Sequence, residues 1–227
     1  MRRVLVALCF LAFAGSAAKA ERPFNWTGFY VGVHGGYAWG DASVLDTTGG
    51  VLPGPFDYKP SGVLAGGHAG YNWQMGSVVL GVEGDLGFMD LSGHGTAPSS
   101  DPTKLQGLRL ESGLYATATG RLGFVVGKSL IYGKGGWAYL DATASQTTTK
   151  PGYVTNPTKA FNGWVWGGGI EHFLSPGVSV KAEYLHFDFG SQLGDQTSVS
   201  DAPIGFKYVN KTDVTADTMK VGISVHY

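Results

Sequence analysis

The chain carries a single cysteine, Cys9, in 227 residues. Charged residues make up only 15%, against ~25% in ordinary soluble domains. Past the first twenty positions no apolar run approaches the ~20 residues that a membrane-crossing helix needs. Each shortage excludes something. One cysteine allows no intrachain disulfide, no thiol pair and no cysteine-built metal site. Sixteen basic against seventeen acidic residues leave no cationic excess of the kind nucleic acid selects. No nucleic-acid partner is expected.

The one apolar run lies at the start, in "MRRVLVALCFLAFAGSAAKA". Arg2 and Arg3 precede apolar residues from Val4 to Ala14, and Ala18-Lys19-Ala20 has the small-x-small form of a cleavage site. This reads as a secretory signal peptide over residues 1–20, with cleavage after Ala20. Cys9 would leave with it. So would Arg2, Arg3 and Lys19, leaving thirteen basic and seventeen acidic residues and a net charge of −4. Residues 21–227 then form a single domain.

Glycine and aromatic residues are plentiful. The 37 glycines argue against helices, whose interiors glycine weakens. In "WTGFYVGVHGGYAWG", Phe29, Val31, Val33, Tyr37 and Trp39 share one parity, while Tyr30, Gly32, His34, Gly36 and Ala38 share the other. A strand sends alternate side chains to opposite faces, so one face is bulky and apolar. The same alternation predicts eight strands, at about 27–40, 61–75, 78–91, 112–126, 130–144, 161–174, 178–190 and 214–227. Tight turns at Gly76-Ser77, Gly127-Lys128-Ser129 and Ser175-Pro176-Gly177 alternate with long loops at 41–60, 92–111, 145–160 and 191–213. That rhythm puts every long loop at one end of an up-and-down sheet. It is the plan of an eight-stranded antiparallel transmembrane β-barrel with short periplasmic turns and four long external loops.

The faces support a lipid environment. The bulky parity continues through Val82, Leu86, Phe88, Leu122, Phe124, Ile131, Ile170, Val180, Val221 and Ile223, and is expected to carry no formal charge. The opposite parity carries Glu83, Asp85, Arg121, Lys134, Glu171, Lys181, Glu183 and Lys220. Four acids and four bases inside and an apolar surface outside suit a barrel whose outer solvent is lipid, since Arg or Lys on the lipid face costs ~2–4 kcal/mol at mid-bilayer. A soluble lipocalin-like barrel would need the reverse facing. Tyr37, Trp39, Trp137, Tyr139, Trp164 and Trp166 fall near the external strand ends, and Tyr71 and Trp73 near the periplasmic ones. Trp and Tyr prefer the two membrane interfaces. All six tryptophans, Trp26 included, are expected at or just beyond strand ends.

These segments resemble a family. "NWTGFYVGVHGGYAWG", "GHAGYNWQMGSVVLGVEGDL", "GRLGFVVGKSLIYGKGGWAY", "GWVWGGGIEHFLSPGVSVKAEYLHFDFG" and the final "MKVGISVHY" occur in the order found in small outer-membrane surface proteins of Gram-negative bacteria. Those are the outer-membrane immunogenic, or porin-like, β-barrel proteins. The resemblance implies an eight-stranded barrel among outer-membrane lipids and lipopolysaccharide. It implies that the terminal Tyr227 stands where the barrel-assembly machinery reads an aromatic residue, more often Phe. It brings no catalytic residues and no cofactor. Roles in such families include envelope integrity, surface antigenicity, limited permeability and, in some members, haem binding.

Other chemistry is thin. The interior charges read either as a structural ion network that plugs the lumen or as the lining of a narrow channel for ions or small solutes. A barrel of eight strands is about wide enough for side chains to fill, which favours the network. His34 and His68 share the inward parity of adjacent strands and read as polar filler or as a ligand pair; haem would not fit so narrow a lumen. A Ser–His–acid hydrolase is weighed on Ser224 and His226, which point inward, and on His172 and His186, which lack a matching Ser and acid. His94 and the loop acids Asp41, Asp46, Asp101, Asp195 and Asp201 leave external-loop binding of haem, host ligands or divalent cations open. The expectation is a non-enzymatic surface protein of the cell envelope.

Overall fold

The computed structural model describes residues 24–46, 56–98, 105–148, 153–155, 160–198 and 207–227. The signal-peptide expectation for residues 1–20 lies outside them, as do Asp101 and Asp201 and the side chains of Asp46, His94 and Asp195. Eight long strands follow one another: β1 (Gly28–Asp46), β3 (Ser61–Met75), β4 (Val78–Met89), β6 (Leu105–Val126), β7 (Ser129–Thr148), β9 (Phe161–Ser175), β10 (Val178–Ser198) and β11 (Lys207–His226). Three short strands, β2 (Phe56–Tyr58), β5 (Ser92–Pro98) and β8 (Tyr153–Thr155), pair with the extended ends of β1, β6 and β10.

The long strands pair antiparallel in chain order, and β1 also pairs with β11, so the sheet closes. Closure pairs every strand edge, which a bilayer demands. Following paired residues around from Gly28 through Asn72, Gly81, Arg121, Lys134, Gly167, Leu185 and Thr218 returns to β1 at Ala38, ten residues above the start. At ~3.3 Å per residue and ~4.8 Å between strands, that stagger tilts the strands by about 40°. The periplasmic turns are tight because their glycines allow it. Gly76 and Gly127 hold φ of 63° and 62° at the first turn position, as a type II′ hairpin requires. Gly177, at φ 83°, follows Pro176 as the second residue of a type II turn.

The bulky parity faces out on every strand. Val33, Val63, Leu86, Phe88, Leu122, Ile131, Trp164, Trp166, Met219 and Val221 are all exposed on the barrel surface. A soluble fold would not leave such a continuous apolar belt uncovered. From Phe29 to Trp39 along β1 the belt is ten residues tall, about 25 Å at this tilt.

The interior is layered. At the turn end Trp26, Val79, Leu130, Tyr132 and Phe173 form one apolar cluster, with Phe24 and Val125 against it. At the far end Leu64, Met89, Tyr115, Leu140, Phe161, Leu185, Phe187 and Phe189 form a larger one. Among the described residues, the buried charges lie between the two.

Three expectations need correction. The long loops are largely strand: β6 begins at Leu105, β7 runs to Thr148, and β10 runs to Ser198. Their Gly-, Thr- and Asp-rich sequence shows little alternation because beyond the bilayer the outer face has no lipid to select apolar residues, so polarity need not alternate there. Trp26 is not interfacial. It is fully buried, its ring centroid 4.2 Å from Phe173, with its amide donating to Gln74 Oε1 at 2.9 Å. And the outward face is not free of charge: Asp90, Asp141, Asp188 and Asp217 all sit on it near the external end. There the barrel leaves the hydrocarbon, and acids meet headgroups and water.

Candidate functional site

The eight acidic and basic residues expected inside come from six strands and meet in one connected network. Lys134 lies 2.6 Å from Glu83 and 3.0 Å from Glu183. Lys181 lies 3.0 Å from Glu83 and 3.9 Å from Glu183. Lys220 bonds Asp85 and lies 3.1 Å from Glu183. Arg121 reaches Glu171 at 2.8 Å and Glu83 at 3.6 Å. No side chain of the eight is more than 5% exposed. Four positive and four negative groups balance, as buried charge requires.

Tyrosines complete the network. Tyr30 donates to Glu83 at 2.9 Å and accepts from Arg121 at 3.1 Å. Tyr132 donates to Glu183 at 2.8 Å, and the Arg121 guanidinium carbon sits 4.0 Å from its ring centroid. Tyr115 donates to Asp85 at 2.9 Å. Inward parity placed all three on the lumen face, but nothing local marked them as partners of acids on other strands.

Inward glycines make room for these groups. A Cβ on Gly32 would fall 2.5 Å from His68 Nε2, one on Gly70 2.4 Å from Tyr30 Oη, and one on Gly87 2.8 Å from the Tyr115 ring. These three large interior side chains thus each lie over a glycine of a neighbouring strand.

His34 and His68 are buried polar side chains of the lumen, bonded to each other and to their neighbours. Their Nδ1 atoms are 3.3 Å apart, His34 Nε2 lies 2.6 Å from Tyr115 Oη, and His68 Nε2 lies 2.9 Å from Ser224 Oγ. With both rings neutral, these partners set the proton positions. Tyr115 donates to Asp85, so it accepts from His34 Nε2–H. His34 Nδ1 accepts from His68 Nδ1–H, and His68 Nε2 accepts from Ser224. All four ring nitrogens are used.

Catalytic and metal readings fare poorly on geometry. Ser224 bonds His68, not His226. His226 Nε2 instead lies 2.9 Å from Ser179 Oγ and 3.2 Å from Glu171, while Ser179 donates to Glu171 at 2.6 Å. One nitrogen thus serves both the hydroxyl and the acid, whereas a relay uses opposite nitrogens. Glu83, Asp85 and Glu183 offer carboxylate oxygens within 4.8 Å of one another, but three lysines already neutralise them. On the outer surface His172 bonds Ser129 at 2.8 Å, and His186 bonds Asp217 at 2.8 Å.

The aromatic residues expected at the interfaces form two outward rings. Phe29, Tyr71 and Trp73 pack in sequence near the turns, edge-on and then tilted, at centroid separations of 4.6 Å each. Tyr37, Trp39, Trp137, Tyr139, Trp164, Trp166 and Tyr184 occupy the other end, with Trp137 paired to Trp164 across β7 and β9. At the seam, the Tyr227 amide donates to Phe29 O at 2.9 Å and ties the last residue to the first strand.

Known proteins agree with this architecture. The outer membrane protein beta-barrel domain family matches residues 5–227. The 31 kDa outer-membrane immunogenic protein of Brucella melitensis is 30% identical over 223 residues, covering 85% of this chain and 89% of its own. The 22 kDa outer membrane protein of Rhizobium leguminosarum is 30% identical over 176 residues, covering 78% of this chain and 70% of its own. The solved outer membrane protein OprG of Pseudomonas aeruginosa shares the fold at a TM-score of 0.51 and 11% identity, over 88% of this chain and 97% of that one. A closed barrel with an apolar outer belt, an ion-paired lumen and these relatives is an integral outer-membrane protein, and the chain belongs to the outer-membrane β-barrel family of the surface immunogenic proteins.

Proposed function

We propose that the protein is a non-catalytic, non-conducting barrel that strengthens the outer membrane and presents its external hairpins at the cell surface. One observation carries this reading: the balanced ion network lies between two apolar clusters, and no charged side chain in it is more than 5% exposed. A conducting lumen would need those charges in contact with water. The network instead ties six strands together through groups that are costly to separate.

The remaining roles follow from position. Residues 1–20 direct export and are removed after Ala20. Tyr227, at the end of the closing strand, is the signal read by the barrel-assembly machinery. The two aromatic rings fix the depth of the barrel, and the external ring faces the lipopolysaccharide leaflet.

Single-channel recording of the refolded full chain in a planar bilayer tests the closed lumen, with heat-shifted gel mobility confirming the folded barrel. The expected record is silent. Discrete steps whose ion selectivity changes in Glu83→Gln or Lys134→Met would establish a channel instead.

A further inference from the structure

Two histidines stand in the middle of the lumen among fixed charges. His34 of β1 pairs with Gly66 of β3, and His68 of β3 pairs with Gly32 of β1. Each ring crosses over the other strand's glycine. A Cβ on Gly66 would fall 2.9 Å from His34 Nε2, and one on Gly32 would fall 2.5 Å from His68 Nε2. The ring planes are 29° apart, with centroids separated by 5.6 Å. His34 is 6% exposed and His68 4%.

The hydrogen bonds of the pair count its protons. Between the two Nδ1 atoms, 3.3 Å apart, one hydrogen fits. With one ring protonated the chain of bonds still closes. His68 Nδ1–H donates to His34 Nδ1 as before, and His68 Nε2–H donates to Ser224 Oγ, 2.9 Å away, instead of accepting from it. A second added proton meets no acceptor. It sets N–H against N–H and places two imidazolium ions side by side. The surroundings do not compensate. From β4 the pair faces Asp85, whose Oδ1 lies 3.3 Å from His34 Nε2, and Glu83; lysines already hold both acids. From β10 it faces Lys181 and Glu183, and from β11 Lys220 and Ser224. Tyr115 of β6 bonds His34, and the Tyr30 ring of β1 lies 6.2 Å from that of His68. Four fixed cations already match four acids here, so each added proton is in excess.

We propose that His34 and His68 form an acid-sensitive lock inside the barrel. Neutral or singly protonated, the pair ties β1 to β6 through Tyr115 and β3 to β11 through Ser224. The second proton breaks the bond between the Nδ1 atoms, parts the rings and loosens the strands where the barrel closes. Free histidine takes up its proton near pH ~6.5. Below that pH an unfolded chain binds a proton that the locked pair refuses, so unfolding becomes easier as pH falls. The lock thereby couples the stability of the barrel to the acidity of its surroundings.

Urea unfolding of the full chain in lipid vesicles tests this from about pH 7.5 down to about pH 5, above the range in which free carboxylates take up protons. The parent is compared with the double variant His34→Gln/His68→Asn, whose amides keep hydrogen-bonding groups and do not titrate. One refused proton should raise the parent's unfolding equilibrium constant, relative to that of the variant, about tenfold per pH unit below pH ~6.5. Every other histidine is common to both chains and cancels. Equal pH dependence of parent and variant overturns the lock. Should the double variant not fold, either single substitution serves the same comparison, since a lone ring can hold its proton. A proton count on the parent alone stands beside these. In NMR spectra of the folded barrel in micelles, the pair should take up at most one proton between about pH 7.5 and about pH 5. Both rings titrating as free histidines in the folded barrel overturns the lock as well. Unfolding reads the lock whether or not the lumen conducts, so channel steps at neutral pH would overturn the closed-lumen reading alone.

Discussion

At the scale of single residues, Arg121 and the inward glycines carry the sharpest expectations. Among the described residues, Arg121 and His226 are the ionic partners of Glu171, and Arg121 also reaches Glu83. Arg121→Ala strands buried carboxylates and should destabilise the barrel by about 3–5 kcal/mol. Urea unfolding in micelles would measure it, and an unchanged midpoint would contradict a structural role for the network. Gly32 and Gly120 make a controlled pair. A Cβ at Gly32 meets Ile223 O at 2.3 Å and His68 Nε2 at 2.5 Å, while one at Gly120, on the outer face, meets nothing within 4 Å. Gly32→Ala should cost about 1–3 kcal/mol and Gly120→Ala should leave the midpoint nearly unchanged. Parity in the sequence gives the facing of both glycines. It does not give the histidine ring that fills the space over Gly32, because that ring comes from the next strand.

At the scale of elements, the segment before β1 behaves as a stopper. Phe24 and Trp26 pack on Phe173, and Trp26 stands edge-on to His226 at 5.6 Å. Trp26→Ala removes the largest side chain of the periplasmic cluster and should cost about 3–5 kcal/mol. The loss would be read as an earlier unfolding midpoint at unchanged barrel content by circular dichroism. The sequence placed Trp26 with the interfacial tryptophans because it sits one residue outside a strand. Only the packing shows that the chain turns inward there. The strands that run on above the bilayer were hidden for a related reason. Alternation reports a difference between the surroundings of two faces, and above the bilayer the outer face has no lipid to select apolar residues. The turns, in contrast, were legible residue by residue, since Gly76, Gly127 and Pro176-Gly177 have the conformations that their tight hairpins need.

At the scale of the whole molecule, the outer belt decides where the barrel can reside. Val221 is 67% exposed and stands near the middle of the belt, between Met219 and Ile223 on β11. Val221→Arg should lower stability in bilayers by about 2–4 kcal/mol. Comparing its unfolding midpoint in lipid vesicles with that of Asp141→Arg, beyond the belt, tests this: the second change should cost far less. Equal costs would mean that the apolar belt does not face hydrocarbon.

The sequence by itself determined the strand count, the facing of nearly every spanning side chain, the position of the tight turns and the lipid environment. Period-two alternation and turn residues are local properties, and they survive in the linear chain. Only the tertiary structure decided who meets whom inside. Glu83 gathers Lys134, Lys181, Arg121 and Tyr30 from four strands, and Asp217 meets His186 and Tyr184 of the neighbouring strand on the outer face. The physical reason is closure. A stagger of ten residues around eight strands sets which distant positions share a level, and no stretch of the chain taken alone contains that register.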